Sequence, residues 1–332
     1  VFQRADAPVG FLEHGHWRCV GVPTSHNLDK IPKLGLDVVP VRLFSGKAFD
    51  GFFHALGADG GGRVRHQRGD GAFVGMVDQG IDVGVRKAVA DGLIEGPRLL
   101  VAHNMLSQTG GHADFHLPSG IDLGPFIGAY LVDSVDAART RARQLLRNGV
   151  DVLKVASSGG VSSPNDDPTW LGMRRRMIAA IVEEGRNYGG RPVAAHAIGY
   201  AGIRAAVEAG VHSIEHGYAL DDELRHQMVS QGTFLVPTLL ETMTPVTATP
   251  EGAAKSAKWH AMAHDSIAAS AATGVRIAVG TDAGLSPDHG TNLKELGLLT
   301  KFGGLTPMQS IVAATRTSAE LCGVDDRLGT VE

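Results

Sequence analysis

The sequence predicts an α/β protein with the architecture of a (β/α)8 TIM barrel. From about residue 80 onward, short apolar runs rich in β-branched residues alternate with longer segments that have apolar residues at helical spacing. The short runs are continuously apolar, as in parallel strands that are covered on both faces. No Gly-x-Gly-x-x-Gly follows a first strand, and this favours a closed barrel over an open, doubly wound sheet.

The expected strands are bounded by Gly, Pro, Asn or Ser, and the segments between them are rich in good helix formers. A ring of eight strands also requires two from the first 80 residues, where 9–12 and 72–77 are the candidates. The glycine-rich stretch 45–71 between them opposes a stable helix. The strands expected later are 98–102, 150–156, 192–197, 213–217, 234–238 and 276–281, and the helices are 133–148, 174–188, 201–208, 221–230 and 253–272.

The composition narrows the function classes. With 332 residues, 43% of them hydrophobic, the chain can bury a large core. We expect residues 1–332 to form one barrel domain, in which residues 81–332 match the alternation of strands and helices well and residues 1–80 are atypical. A net charge of −4 gives no reason to expect nucleic acid or an anionic membrane as a partner. Two cysteines make neither a disulfide framework nor a zinc-thiolate set, so any metal requires His and carboxylate ligands.

The apolar runs are too short for a membrane span, and residues 1–20 lack the basic start and apolar core of a secretory signal. We therefore expect a cytoplasmic protein whose partner is a small-molecule substrate. Whether it forms a homo-oligomer stays open.

Lys154 lies within the apolar run 150–156. An unpaired ammonium at such a place costs several kcal/mol, so the lysine must find a carboxylate, lose its proton or change chemically. The alternative is a lysine whose ammonium reaches the strand end and water. In a parallel barrel the strand ends carry the functional groups, so Lys154 is a candidate site residue.

His196, His216 and Asp282 close apolar runs at equivalent places. A single histidine there is more often a hydrogen-bonded structural residue, but two histidines with an aspartate indicate a metal cluster. Imidazole and carboxylate hold Zn²⁺, Mn²⁺ or Fe²⁺ while leaving a position open for water. His14 and His16 stand at i and i+2, on one face of a strand, where they can share an ion, although a surface loop explains them equally well.

Two further segments follow strands. The glycine-rich segment 107–112 aims His112 at the mouth of the barrel, unless it is a plain turn. Asp166 and Asp167 are expected to face water or to cap a helix.

Several motifs occur in a fixed order between residues 80 and 332. They are Glu95-Gly96-Pro97-Arg98, Gln108-Thr109-Gly110-Gly111-His112, Leu153-Lys154-Val155, Ser158-Gly159-Gly160-Val161, Ala195-His196-Ala197, Ile214-Glu215-His216-Gly217, Gly280-Thr281-Asp282, His289-Gly290 and Glu295-Leu296.

In these motifs the chain resembles the amidohydrolase superfamily, and within it the branch of imidazolonepropionase-like proteins, Xaa-Pro dipeptidases and the ochratoxin hydrolase. The resemblance implies a metal-dependent barrel. Relatives also carry a small β-sandwich, which is expected to be largely absent from this chain. The segment up to about residue 79 looks unlike the family, and Glu13 abuts His14 where relatives have one residue between the acidic position and the first histidine.

The resemblance further implies two divalent metal ions, with zinc the expected element, and a CO₂-derived carbamate on Lys154 that bridges them. His196 and His216 would hold the second ion, and Asp282 would bind the first ion and shuttle a proton. The strand-one histidine pair of the family has its local counterpart in His14 and His16.

We therefore expect a dipeptidase- or carboxypeptidase-like hydrolase, in which a metal-bridging hydroxide attacks the amide of a dipeptide or N-acyl amino acid. Asp282 would pass the proton to the leaving amine. Tyr218 would stabilise the oxyanion, and His112 would do the same or bind a substrate carboxylate. The alternatives are a mononuclear deaminase or cyclic-amide hydrolase with unmodified Lys154, and a non-catalytic barrel that binds a small ligand.

Overall fold

The computed structural model divides the chain into two compact units, Val1–Ser45 and Gly46–Glu332, and each is described by itself. The structure describes the strands at 9–13, 16–20 and 70–72, and residues 80–114, 128–161, 163, 166–243, 250–282 and 290–330. The assignment of residues 1–332 to one barrel domain stays a prediction.

In the first unit, β1 (Val9–Glu13) and β2 (His16–Val20) form an antiparallel hairpin in which Glu13 pairs with His16. The first predicted strand is therefore present. It pairs with β2 in an antiparallel hairpin, whereas a strand of the predicted barrel would pair with parallel neighbours. His14 lies outside the described residues, and His16 is the first residue of β2.

The second unit is built on parallel strands. They are β3 (Asp70–Ala72), β4 (Arg98–Leu100), β5 (Leu106–Ser107), β6 (Tyr130–Leu131), β7 (Leu153–Ala156), β8 (Val193–Ala197), β9 (Ser213–His216), β10 (Phe234–Val236) and β11 (Arg276–Ile277). The sheet order is β11-β10-β9-β8-β7-β5-β6, while β3 pairs with β4 in a separate ladder. All these pairings are parallel, which confirms the predicted α/β class.

Helices connect the strands, as a βα repeat requires. They are α1 (Ile81–Ala90), α2 (Val135–Arg147), α3 (Arg175–Asn187), α4 (Tyr200–Ala209), α5 (Asp222–Gln231), α6 (Pro250–Thr273), α7 (Lys294–Lys301), α8 (Pro307–Val312) and α9 (Ser318–Cys322). A 3-10 turn, Leu239–Met243, follows β10, and a π-helical turn, Ala313–Thr317, joins α8 to α9.

Local sequence explains where two of these helices begin. Ser134 caps α2 by accepting a hydrogen bond from the Ala137 amide at 3.1 Å, and Asp221 caps α5 by accepting one from the Leu224 amide at 2.9 Å. Gly232 ends α5 with a φ of 70°, a left-handed conformation that glycine adopts without steric cost.

The register of the sheet separates an apolar face from a polar one. Leu153, Val155 and Ala195 point to the face covered by helices and are fully buried in the main core. Burying one such leucine or valine contributes about 1.5–3 kcal/mol to folding. Lys154 and His196 point to the opposite face, called the inner face below, as the alternation along each strand dictates.

The strands and helices expected after residue 80 all occur, most with shorter bounds than predicted. Of the strand expected at 72–77, only residue 72 is described, as the last residue of β3. The two-residue strands β5 and β6 were not predicted, because so short a segment shows no periodicity. In the part of the chain that the structure describes, none of the helices has both the length and the apolarity to cross a membrane.

Candidate active site

The carboxyl ends of β7, β8 and β9 bring polar side chains together on the inner face. Ala156 of β7 pairs with His196 of β8, which in turn pairs with Glu215 of β9, so these residues point the same way. Lys154 stands two residues before Ala156 and shares that face. The sheet register therefore places a lysine, a histidine and a glutamate side by side.

Buried imidazoles form the centre of the site. The rings of His196 and His216 lie edge to face, with centroids 4.7 Å apart. His112 stacks flat on His196, with a centroid distance of 4.0 Å and an interplanar angle of 8°. All three side chains are buried.

Hydrogen bonds fix which nitrogen of His216 carries hydrogen. Its Nδ1 lies 2.8 Å from Oγ1 of Thr238. That hydroxyl donates its own hydrogen to the Pro237 carbonyl at 2.7 Å, so it accepts from Nδ1–H. Burial lowers the pKa of His216 to about 4, with Lys154 and His112 adding and Asp282 opposing. The neutral ring therefore presents the lone pair of Nε2.

His196 is fixed in the opposite tautomer. Its Nε2 lies 3.1 Å from the Gly159 carbonyl, which can only accept, so Nε2 carries the hydrogen and Nδ1 has the lone pair. Burial, followed by the nearby His112 and His216, lowers the pKa of His196 well below its ordinary value. Both imidazoles are thus neutral near pH 7, and each has one nitrogen available to a ligand.

Asp282 connects this buried group with solvent. Its Oδ2 stands 4.0 Å from Nε2 of His216, the nitrogen with the free lone pair, while its side chain is 46% exposed. A carboxylate in this position can exchange a proton with water on one side and act beside His216 on the other.

Three residues at strand ends adopt left-handed backbone conformations. The φ angles are 74° at His216, 53° at Thr238 and 50° at Asp282. A side chain in this region costs about 1–3 kcal/mol, and such strain clusters at functional sites. His216 is the last residue of β9, and Thr238 and Asp282 lie in the segments that follow β10 and β11.

Lys154 forms an ion pair with Glu215 on the inner face. Burial lowers the pKa of Lys154 to about 8, although the carboxylate of Asp282 opposes this effect. An amine with this pKa is partly neutral at pH 7 to 8, which is the form that reacts with CO₂. Lys154 therefore fulfils one of the three expectations for a buried lysine, since it has found a carboxylate.

His112 is held by a second buried carboxylate. Its Nδ1 lies 2.9 Å from Oδ2 of Asp166, whose other oxygen contacts the Ser163 hydroxyl. Burial opposes ionisation of Asp166, but the hydrogen bonds from His112 and Ser163 hold its pKa below the ordinary value. The expectation that Asp166 faces water or caps a helix is wrong, because the loop after β7 turns it inward. Asp167 accepts from the Thr169 amide and hydroxyl, as a turn residue does.

Tyr218 lies beside His216, with ring centroids 5.6 Å apart. Its hydroxyl is 3.2 Å from Thr238 Oγ1, so it contributes to the hydrogen bonding that orients His216. Burial raises the pKa of the phenol far above its ordinary range, and the group stays a hydrogen-bond donor. Its predicted role at the oxyanion stays a prediction.

Two glutamates lie at the turn after β10, Glu241 within it and Glu295 in contact with it. Glu295 accepts from the amides of Leu239 and Leu240, each at 2.7 Å, and thereby fixes this turn to α7. Burial raises the pKa of Glu295 to about 7, although the two hydrogen bonds from the amides lower it. Glu241 has a buried Oε2 with no hydrogen-bond partner among the described residues, and burial, assisted by Asp282, raises its pKa to about 8.

The chemistry of this donor set fits a divalent cation. Metal ligands must be deprotonated, and His196 and His216 are neutral with one free nitrogen each, next to the carboxylate of Asp282. A histidine that binds a metal through one ring nitrogen usually donates a hydrogen bond from the other nitrogen, which fixes its tautomer and orientation. Among the described residues, no three His, Cys, Asp or Glu side chains stand together in metal-binding geometry. His14 and the side chain of His16 are not among the described residues, so this search did not include them.

The amidohydrolase family model matches residues 67–332, which is most of the chain. This chain belongs to the amidohydrolase family. It is 36% identical to ochratoxinase from Aspergillus niger over 249 residues, covering 70% of this chain and 51% of that protein. This amidohydrolase chain thus spans about half the length of the curated relatives it matches.

Two solved structures are similar to this chain. A Xaa-Pro dipeptidase with bound methionine in its active site superposes with a TM-score of 0.72 at 30% identity, over 79% of this chain and 66% of that one. A prolidase complexed with N-methylphosphonate-L-proline superposes with a TM-score of 0.68 at 30% identity, over 76% and 64%. These matches agree with the predicted fold class.

The structure brings Lys154, His196, His216 and Asp282 to one place and puts His112 and Tyr218 beside them. It also reveals residues to which the sequence pattern assigned no role at the site: Glu215, Thr238 and Asp166. Glu215 carried a usable signal, because it is a charged residue in an apolar strand. The other two carried none, since their partners come from distant segments.

Proposed function

We propose that this protein is a metal-dependent hydrolase that cleaves the amide bond of a dipeptide or an N-acyl amino acid. The observation that carries the proposal is the pair of buried, neutral imidazoles, His196 and His216, each with one free nitrogen beside Asp282. The names of the similar proteins, ochratoxinase, Xaa-Pro dipeptidase and prolidase, support an amide substrate.

The proposed ligands in the second unit are His196, His216, Asp282 and a carbamate on Lys154. The lowered pKa of Lys154 supports the carbamate, because a neutral amine can attack CO₂, lose a proton and leave an anionic group with two oxygens. Two divalent ions, with zinc the expected element, would supply a Lewis acid for the substrate carbonyl and would lower the pKa of bound water from 15.7 to about 7.

The protein's own groups would then handle protons and orientation. Asp282 accepts the proton of the attacking water and delivers it to the leaving amine, a task to which its position between His216 and solvent is suited. Tyr218 remains protonated and can donate to the developing oxyanion, while His112 offers a second contact to that oxygen or to a substrate carboxylate.

Metal analysis and turnover test the proposal together. The protein is loaded with Zn²⁺, its metal content is measured, and a panel of dipeptides and N-acyl amino acids is assayed, with Lys154→Ala as control. We expect about two ions per chain and hydrolysis that the variant loses. One ion per chain without hydrolysis of the panel would support the mononuclear alternative, and no ion with no turnover would support a ligand-binding barrel.

A further inference from the structure

His112 is constrained on both its face and its edge. Its ring face stacks on His196 at 4.0 Å, and its Nδ1 edge meets Oδ2 of Asp166 at 2.9 Å. Within the described part of the chain, Nε2 of the same ring has no hydrogen-bond partner. Nε2 is therefore the atom through which His112 can contact a ligand.

Asp166 has the properties of a dedicated partner for this ring. It is buried, and both of its carboxylate oxygens are engaged, one by His112 and the other by Ser163. An ionised carboxylate can only accept, so a neutral His112 must carry its hydrogen on Nδ1. The carboxylate thus selects the tautomer that leaves a lone pair on Nε2.

The loop that carries Asp166 is pinned from a distant helix. Lys255 of α6 donates to the carbonyl of Ser163 at 2.7 Å and to the carbonyl of Asp166 at 2.8 Å. Both bonds go to backbone atoms, so Lys255 restrains the backbone at Ser163 and at Asp166.

A glycine on the same loop makes room for the ring. A side chain at Gly160 would overlap the Nδ1–Cε1 edge of His112, the edge that faces Asp166. The backbone at Gly160 and the carboxylate of Asp166 therefore both contact the Nδ1 side of the His112 ring.

We propose that Asp166 is a positioning residue, which holds His112 in the Nδ1–H tautomer and in its present orientation, and that Lys255 holds Asp166 in reach. The effect of this arrangement on turnover rests on the proposed function. The tautomer of His112 does not, and it can be measured without substrate.

Nitrogen-15 NMR of the imidazoles in the metal-free protein is the direct test, with His112→Gln assigning the His112 signals. We expect the wild type to show hydrogen on Nδ1. Asp166→Ala should lose this preference, whereas Asp166→Asn should largely keep it, because an amide oxygen can accept from the same Nδ1–H. Lys255→Met should give a mixture of tautomers. Asp167→Asn is the matched control, since Asp167 bonds to Thr169 on the same loop and should leave the His112 signals unchanged.

Kinetics of the metal-loaded protein give the second readout. We expect Asp166→Ala to lower kcat/KM by about 10–100-fold, the usual effect of removing an orienting carboxylate, and Asp166→Asn to restore much of it. An Nδ1–H tautomer that persists in Asp166→Ala, or an equal effect of Asp167→Asn, would overturn the proposal. If the wild type hydrolyses no substrate of the panel, the proposed function fails, while the NMR result still decides the role of Asp166.

Discussion

The hydroxyl of Thr238 accepts a hydrogen bond from Nδ1 of His216 at 2.8 Å. His216 is the last residue of β9 and Thr238 follows the neighbouring strand β10, and both have left-handed backbones. Because the hydroxyl gives its own hydrogen to Pro237, it leaves His216 only one tautomer. The alignment of two strands thus decides which nitrogen of His216 is free.

Removing this hydroxyl should weaken metal binding. Thr238→Val keeps the shape and the β-branch, so the main loss is the acceptor for Nδ1–H. We expect Zn²⁺ affinity to fall by about 10–100-fold, measured by competition with a chelator. The control is Thr233→Val, because Thr233 is also buried and its hydroxyl bonds the Val211 carbonyl at 3.4 Å, before β10 begins, whereas Thr238 follows the end of that strand. Equal losses in both variants would contradict this role for Thr238.

The ion pair of Lys154 and Glu215 predicts a stability effect that is independent of activity. Lys154→Met leaves the Glu215 carboxylate poorly exposed and without its partner. We expect the free energy of unfolding of the metal-free protein to fall by about 3 kcal/mol, since breaking a buried pair exposes the full cost of the remaining charge. Adding Glu215→Gln should recover at least half of the loss in urea denaturation. If the double variant is no more stable than Lys154→Met, the pair does not have this energetic role.

Glu241 should destabilise the protein as the pH rises. The folded state raises the pKa of this carboxyl from 4.5 to about 8, so the folded state binds the proton more tightly than the unfolded state. The stability that this group contributes is full below pH 4.5 and is lost as the pH rises toward 8.

Glu241→Gln removes this titration. The variant should match the wild type at pH 4.5 and exceed it at pH 8 by about 1–3 kcal/mol, the penalty for a buried group without a partner. Thermal and urea unfolding at both pH values measure the difference. Glu223→Gln, at an exposed position of α5, is the control and should show no such growth with pH.

Gly160 should tolerate no side chain. In Gly160→Ala the added methyl group meets the His112 ring, and the overpacking should cost about 1–3 kcal/mol of stability and displace His112 from Asp166. Gly84→Ala is the matched control, because no atom lies within 4 Å of the added group and alanine favours helix α1. A Gly160→Ala protein with wild-type stability and unchanged imidazole NMR signals would refute the steric argument.

Sequence periodicity predicts the site residues that belong to strands. Lys154, His196 and His216 lie in or at the ends of apolar runs, and alternation along β7 and β8 is enough to put the first two on the same face of the sheet. The same alternation applied to β9 gives Glu215 an inner position as well. Alternation does not predict that Glu215 contacts Lys154, because this ion pair depends on how the two non-adjacent strands β7 and β9 align.

Residues that act through loops leave no such pattern. Asp166 lies in a loop without periodicity and meets a histidine 54 positions earlier in the chain. Thr238 follows a short apolar strand in the same way as many turn residues do. Their contacts arise from the packed fold, and a single sequence carries no local mark of them.

The left-handed backbones of His216, Thr238 and Asp282 have a consequence for evolution in the laboratory. Glycine would relieve the backbone strain at each of these positions, but at His216 and Thr238, which are buried and hydrogen-bonded to each other, it would also leave a cavity and an unpaired group. Selection for heat resistance alone therefore rewards glycine at Asp282, whose side chain is 46% exposed. Screens that do not also demand turnover should yield stable variants that have lost this carboxylate.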